Sequence, residues 1–402
     1  MKGIWRDRLK ICMFANGLPV HITGGMEIHV QELVEGLVKR DHKVTIITTK
    51  HPKGIKKEEK GNLRIYYVGD ISLKCTRRFY KESSELFDKL NKEEMFDIVH
   101  SQSTSGFGLA KFYHKKIFLI VTLHGTALNE VKSALNTKSI KGFIVASYMY
   151  YTYILLSQVD KITLKRANKI IAVSNDLKED IKKQYKISEE KLVAIPNGID
   201  VNKFKTMEVT HLREKWNLTD EKVIISVGAI NKQKGFHLLL KVFPDILKKN
   251  KNIKLFIVGT GLYLQDLKDM AMKLNILGKV VFTGRVSNED LPKYYNLADV
   301  FVFPTLRLES FGLVTAEAMA CEKPVIASCI GGIPTIIENN KDGILIKPGD
   351  LKELKERILE VLSNEELASR LGKNARKKIV EKFSSDKMVE DTIEVYEKVL
   401  NK

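Results

Sequence analysis

The chain has 402 residues, 44% of them hydrophobic and 29% charged. At roughly 100–200 residues per domain this means about two to four domains. The apolar content can bury large cores, which excludes a disordered chain, a collagen-like chain and a disulfide-stapled miniprotein. The four cysteines (Cys12, Cys75, Cys321, Cys329) show no CxxC pair and no zinc-like clustering. Three lie in apolar surroundings, so buried free thiols in a reducing compartment are expected rather than disulfides. The nine histidines are scattered without HExxH or HxH spacing, and no metal site is readable.

Net charge is +18, from 67 basic and 49 acidic side chains, and it is uneven. Residues 1–200 carry 34 basic and 22 acidic groups, or +12; the rest carry 33 and 27, or +6. A basic half suits an anionic partner, although a lysine-rich solvated surface reads the same way. Met1–Lys10 begins basic but lacks an apolar region followed by a small-residue cleavage site, so a cytoplasmic location is expected. Residues 142–159 form an 18-residue run without a charge, yet rich in Tyr, Ser and Thr. A buried or half-buried helix is the first expectation there; a helix at the membrane interface and a true span are the alternatives.

Along the chain, short apolar runs alternate with amphipathic segments. Lys10–Ala15, Lys43–Thr49, Phe96–Ser101, Ile117–Leu123, Lys169–Ser174 and Leu192–Ile195 read as strands, and Met26–Val38 as a helix. After the turn cluster Pro196–Asp200 and a polar stretch to Asp220, the pattern restarts. Val223–Val227, Lys254–Val258, Val280–Phe282, Val300–Phe303 and Pro324–Ala327 are the next strands, and Ser385–Val399 is a closing amphipathic helix. Such alternation predicts two doubly wound α/β units with parallel sheets covered on both faces. The expected domains are 1–204, completed by the helix 385–402, and 205–384. Doubly wound sheets bind ligands at the carboxyl ends of their strands, so the strand-end loops are where chemistry is sought.

The most specific segment is Phe303–Ala320, FPTLRLESFGLVTAEAMA, which reads as strand end, loop and then a helix starting near Gly312. Glu309 falls in the loop and Glu317 in the second helical turn. The amides of Gly312, Leu313 and Val314 sit at the helix start, where unpaired N–H groups and the dipole attract phosphate. A carboxylate one turn further can accept hydrogen bonds from vicinal hydroxyls, as on a ribose. Ser226–Gly235, SVGAINKQKG, places Lys232 and Lys234 between a strand and a helix, where a lysine suits a diphosphate. Gly24-Gly25 lets backbone approach a ligand closely. His124 follows a strand in TLHGT. Gly259-Thr260-Gly261 suggests the dinucleotide fingerprint, but Leu264 stands at its third glycine, so an oxidoreductase reading is weak.

Together these segments resemble the GT-B glycosyltransferases, in particular the large retaining family 4 (glycosyl transferases group 1) that uses nucleotide-sugar donors. The resemblance rests on GGMEIHVQELVEGL, TLHGT, IAVSNDL, IPNGID, QKG, FTGRVSNEDLPKYYNLADVFVFPT, ESFGLVTAEAMA and PVIASCIGGIP, and its most specific mark is the E-x7-E pair Glu309 and Glu317. It implies two Rossmann-like domains facing across a cleft, acceptor on the first and donor on the second. Glu317 then looks like the holder of the donor ribose, Glu309 like the contact to the transferred sugar, and Lys234 like the cation on the diphosphate. Gly312, Leu313 and Val314 look like phosphate contacts, and His124 like the histidine beside the anomeric carbon. Gly24 and Gly25 resemble the loop over the donor phosphates, and Arg285 lies where the family places the nucleobase edge.

Two positions depart from the family pattern. The usual arginine after the second segment's glycine is Ala229, and the usual glycine after the site helix is Glu322. Loss of one charge-assisted partner in a closed site costs roughly 2–4 kcal/mol. That would slow transfer about 100- to 1,000-fold unless Lys232 or Arg307 substitutes. The expected activity is metal-independent transfer of a hexose, with retention, from a nucleotide-diphosphate sugar (UDP- or GDP-linked) to a lipid, glycan or small-molecule hydroxyl, with no cofactor. Ala229 also motivates the alternative of a non-catalytic nucleotide-sugar-binding or membrane-surface scaffold. An anionic membrane surface is a further expected partner, with peripheral contact on the inner face; no nucleic-acid motif is present.

Overall fold

A computed structural model of the chain describes residues 8–22, 24–71, 76–113, 115–129, 154 and 156–401. The chain divides into two units. The first holds the described residues up to 129, those from 154 to 198, and 385–401; the second holds 199–384.

The first unit is built on β1 (Lys10–Phe14), β2 (Lys43–Thr49), β3 (Lys57–Lys60), β4 (Leu63–Val68), β5 (Ile98–Gln102), β6 (Leu119–Leu123), β7 (Lys169–Ala172) and β8 (Leu192–Ala194). They form one sheet in the order β3-β4-β2-β1-β5-β6-β7-β8. All its pairs are parallel except β3–β4. Four of the five residues of β1 and all of β5 and β6 are buried, as strands covered on both faces must be. Helix α1 (Gly25–Lys39) packs against one face, and the chain's last helix lies beside it, its Val389 and Tyr396 buried in the same core as Leu33 and Leu37.

The second unit carries β9 (Lys222–Val227), β10 (Ile253–Val258), β11 (Val280–Gly284), β12 (Val300–Phe303), β13 (Val325–Ser328) and β14 (Ile344–Ile346). Their order is β11-β10-β9-β12-β13-β14, parallel throughout. The helices that matter below are α2 (Phe236–Lys249), α3 (Leu291–Leu297), α4 (Leu313–Ala320), α5 (Glu365–Lys382) and, back in the first unit, α6 (Ser385–Leu400).

The units part at Gly198/Ile199 rather than at residue 204. The reason is local bonding. Ile199 bridges to Ser384, and its amide donates to the Phe383 carbonyl at 2.8 Å. Arg376 on α5 donates to the carbonyls of Val201 (3.0 Å), Phe204 (2.6 Å) and Ala320 (2.8 Å). Residues 199–204 are thereby tied to the second unit.

Three strands escape the periodicity reading. β3 is KEEK, wholly exposed, and exists only because it pairs antiparallel with β4 at the sheet edge. β4 is mostly half-buried, and β14 is three residues long. Of the cysteines, Cys12 and Cys321 are buried, and burial pushes both thiols up, that of Cys321 to about 12. Cys329, one residue past β13, is exposed, which corrects the expectation of burial there; Cys75 lies outside the described residues. Most of the uncharged run 142–159 also lies outside them. No described helix is long and apolar enough to cross a membrane.

Helix α4 ends in a motif that normally demands glycine. The Glu322 amide donates to Met319 O at 3.0 Å and the Lys323 amide to Ala318 O at 3.1 Å, the bonding of a Schellman cap. The residue in the left-handed position is Glu322, at φ 61°. A side chain there costs about 1 kcal/mol. Glu322→Gly should raise the unfolding temperature of the second unit by about 2–4 °C, read by scanning calorimetry; an unchanged or lower value would refute the assignment of strain.

Candidate functional site

Strand order reverses between β9 and β12: β10 and β11 step away on one side, β13 and β14 on the other. Loops leaving two such strands diverge and open a crevice at their carboxyl ends. The loop after β9 carries Lys234 and the loop after β12 carries Glu309. Lys234 Nζ donates to Glu309 Oε1 at 2.7 Å, with the two side chains only 16% and 13% exposed. Thr305 Oγ1 donates to the same oxygen at 3.1 Å. The Lys234 ammonium also stands 5.2 Å from the centroid of the Phe303 ring.

Backbone contacts hold the two loops together. The Leu306 amide donates to Gln233 O at 2.7 Å, and the Gly332 amide, from the loop after β13, donates to Glu309 O at 2.6 Å. Gly235 follows Lys234 at φ 76°, and a Cβ there would lie 1.8 Å from Pro304 O. Only glycine meets both conditions.

Helix α4 opens beside this pair. Its N-cap is Gly312, left-handed at φ 98°, with no capping side chain. The first amides of a helix have no carbonyl one turn back, and those of Leu313 and Val314 find no other acceptor among the described residues. One turn further, Glu317 is buried, and the phenol of Tyr295 on α3 donates to its Oε2 at 2.6 Å. Burial pushes the Glu317 carboxyl up, and the Tyr295 hydrogen bond and the Lys203 ammonium oppose that rise. Thus Lys234, Glu309, Gly312, Leu313, Val314 and Glu317 lie within one stretch of strand ends and one helix. Arg285, one residue past β11 and exposed, belongs to the same end of the sheet. Ala229, two residues past β9, is exposed and offers no cation; Lys232 is exposed and Arg307 half-buried.

The other expected residues belong to the first unit. His124, just past β6, is half-buried, and its Nε2 meets Gln102 Oε1, at the end of β5, at 2.9 Å. A carboxamide oxygen only accepts, so that nitrogen carries the proton. The His29 ring from α1 meets the His124 ring edge-on, centroids 4.6 Å apart. His100, on β5, lies between Tyr396 Oη of α6 (2.6 Å) and Thr122 Oγ1 (2.7 Å). Burial holds these rings neutral, and repulsion from the neighbouring rings adds to it at His100 and His124. His124 falls well below the usual histidine range, His29 to about 4 and His100 to about 3.

At Gly24-Gly25 the structure differs from a free phosphate cradle. The Glu27 carboxylate lies over the start of α1; burial pushes its pKa up, and the nearby Gly24 and Glu27 amides oppose that rise. A Cβ at Gly24 would lie 2.6 Å from Glu27 Oε2, so glycine here makes room for that carboxylate. Tyr295, Thr305, Gln102, His29 and His100 were not singled out from the sequence. Their partners lie 4 to 296 residues away along the chain, and no spacing rule links them.

Two Rossmann-like units, the second with a switch-point crevice of this kind, define the GT-B class of glycosyltransferases. Comparison with known proteins agrees. The family described as Glycosyl transferases group 1 matches residues 208–378, and Glycosyltransferase Family 4 matches residues 23–203. The chain is 30% identical over 398 residues to an uncharacterized glycosyltransferase of Methanocaldococcus jannaschii, covering 96% of this chain and 98% of that one. Sucrose-phosphate synthase from Thermosynechococcus elongatus has the same fold, with a TM-score of 0.82 at 22% identity over 98% of this chain and 100% of that one. So does Anabaena HepE in complex with UDP-glucose, with a TM-score of 0.74 at 18% identity over 97% and 100%. The chain belongs to the group 1, family 4 glycosyltransferases, and it is a glycosyl-transferring enzyme.

The neutral histidines carry a pH consequence. Unfolded, each ring protonates near pH 6.5; folded, His29 and His100 do so only near 4 and 3. Between those values the unfolded chain binds more protons, so stability is complete above pH 6.5 and drains away as pH falls toward 3. The unfolding temperature of the first unit should drop as pH is lowered from 6.5 to 4.5. His29→Leu should flatten that slope, and an equally steep slope in the variant would contradict the buried-neutral assignment.

Proposed function

We propose that this enzyme moves a hexose from a UDP- or GDP-sugar to an acceptor hydroxyl, with retention and without a divalent metal. The observation that carries this reading is the Lys234–Glu309 pair at the β9/β12 switch point, beside the unpartnered amides of Leu313 and Val314. Cleavage of the bond between the anomeric carbon and the phosphate oxygen leaves an oxocarbenium-like sugar and one further negative charge on the diphosphate. An ammonium and two oriented amides in a partly dry crevice stabilise that charge with little reorganisation. Glu309, released from part of its pairing as the diphosphate engages Lys234, is placed to hold hydroxyls of the transferred sugar. Glu317 is placed to hold the ribose. In a front-face reaction the acceptor's proton passes to the departing phosphate oxygen, so no protein nucleophile is needed. Family membership supports the retaining outcome, and the UDP-glucose complex of a protein with the same fold supports the donor class.

We place the acceptor at a membrane surface. The first 200 residues hold the larger share of the positive charge, with clusters at Lys53–Lys60, Arg77-Arg78 and Lys161–Lys169. Exposed Ile154 and Leu156 lie next to the last of these. Apolar tips beside lysines suit an anionic lipid interface. Ala229 supports a second reading, a nucleotide-sugar-binding scaffold of the same fold.

Lys234→Ala should lower kcat about 100- to 1,000-fold, the effect of removing one charge-assisted donor, while Glu317→Ala should chiefly raise the donor KM. Steady-state kinetics with UDP- and GDP-sugars checks both, and unchanged constants in both variants would remove the site. Turnover should persist in EDTA. Single-turnover assays that show bound nucleotide but no transfer to any acceptor would favour the scaffold. Flotation with anionic liposomes at low salt should carry the protein upward; its absence would argue for a soluble acceptor.

A further inference from the structure

We infer that Tyr295 is the positioning residue of the donor site: its phenol fixes one oxygen of Glu317 so that the other is left to the hydroxyl pair of a nucleotide ribose. This rests on the proposed reading of Glu317 as a ribose holder and adds the residue that prepares it. Tyr295 is among the largest fully buried side chains of the chain. Its ring lies between those of Phe204 and Phe301, with centroids 6.0 and 5.6 Å away, so it has no room to swing. A buried phenol needs a hydrogen-bond partner, and among the described residues this one finds Glu317 Oε2, at 2.6 Å.

A carboxylate can accept about four hydrogen bonds. Glu317 is 6% exposed and meets one donor among the described residues; its Oε1 meets none. Oε1 is not among the buried unpartnered atoms, so solvent or a ligand can reach it, and a hydroxyl can donate to it. The terminal torsion of a glutamate is soft, so the Tyr295 bond determines which oxygen stays free. The charged and titratable groups facing Glu317 are Tyr295 from α3, Cys321 from its own helix and Lys203 from the segment after Ile199. Burial keeps the phenol protonated well beyond its ordinary range, so it remains a donor. Its hydrogen bond opposes the rise that burial gives the Glu317 carboxyl.

The test uses the full chain and binding alone, since no acceptor is needed. Affinities for UDP, GDP and ADP are measured by calorimetry, and the nucleotide that binds is compared with its 2′,3′-dideoxy counterpart in wild type, Tyr295→Phe and Glu317→Ala. Tyr295→Phe removes one oxygen and should leave the fold intact by circular dichroism. It should weaken the diphosphate about tenfold, the worth of a hydrogen bond to a charged group, and the dideoxy form not at all. The acid limb of its binding profile should move to higher pH, because the carboxylate has lost its donor. Equal loss for both ligands with an unmoved pH limb would make Tyr295 merely structural and overturn the inference. If Glu317→Ala weakens both ligands equally, or no diphosphate binds wild type, the ribose reading itself fails. If Glu317→Ala discriminates and Tyr295→Phe does not, only the present inference fails.

Discussion

An ammonium and a carboxylate held 2.7 Å apart, mostly out of water, where two parallel strands part company: the rest of the second unit is arranged around that pair. Removing water from both partners is expensive unless each stays well paired. Here the geometry is enforced by backbone. The loops after β9, β12 and β13 are bonded amide to carbonyl through Gln233–Leu306 and Glu309–Gly332, so neither charge can drift. A diphosphate entering such a crevice meets a cation and a bare helix start that are already oriented. On the proposed reading, the carboxylate that it displaces from Lys234 is then free for sugar hydroxyls.

The first unit handles polarity differently. It brings together imidazoles rather than cations, from α1, the middle of β5 and the end of β6, and burial keeps His29, His100 and His124 uncharged. His124 and His100 hold position through hydrogen bonds instead of charge, since Gln102 accepts from His124 and Tyr396 reaches from the last helix to His100, while both ring nitrogens of His29 are buried without a partner among the described residues. The last helix is thus tied by a side-chain hydrogen bond to the middle of β5. The start of α1, which resembles a phosphate cradle in sequence, has its own Glu27 carboxylate lying over it. An incoming anion there would have to displace that carboxylate.

Two departures from the family pattern have different weight. At Glu322 the helix cap keeps its left-handed geometry without glycine, a local strain with no bearing on the crevice. At Ala229 an exposed methyl group stands where the family pattern has a cation, so on the proposed reading Lys234 carries more of the diphosphate's charge. The near-fingerprint at Gly259-Thr260-Gly261 finds its explanation in packing. Cβ atoms on the two glycines would lie 2.0 Å from Gly228 O and 2.2 Å from Ile230 O, so these residues let neighbouring loops touch rather than bind a dinucleotide.

Patterns along the chain were enough for the two α/β units, most of the buried strands, the restart after residue 200, and the loop-and-helix segment holding Glu309 and Glu317. These are local facts: apolar runs, turn residues and spacing write themselves into neighbouring positions. Resemblance supplied the roles, because spacing alone does not say what a glutamate holds. The edge pair β3–β4 was invisible, since a charged strand exists only through its partner. So were Tyr295 beneath Glu317, Thr305 and Lys234 on one oxygen, and the histidine row ending at Tyr396. Each of those contacts is decided by how sheets and helices stack. A hydrogen bond depends on distances of a few tenths of an ångström between groups that can be hundreds of residues apart, and only the folded arrangement sets those distances.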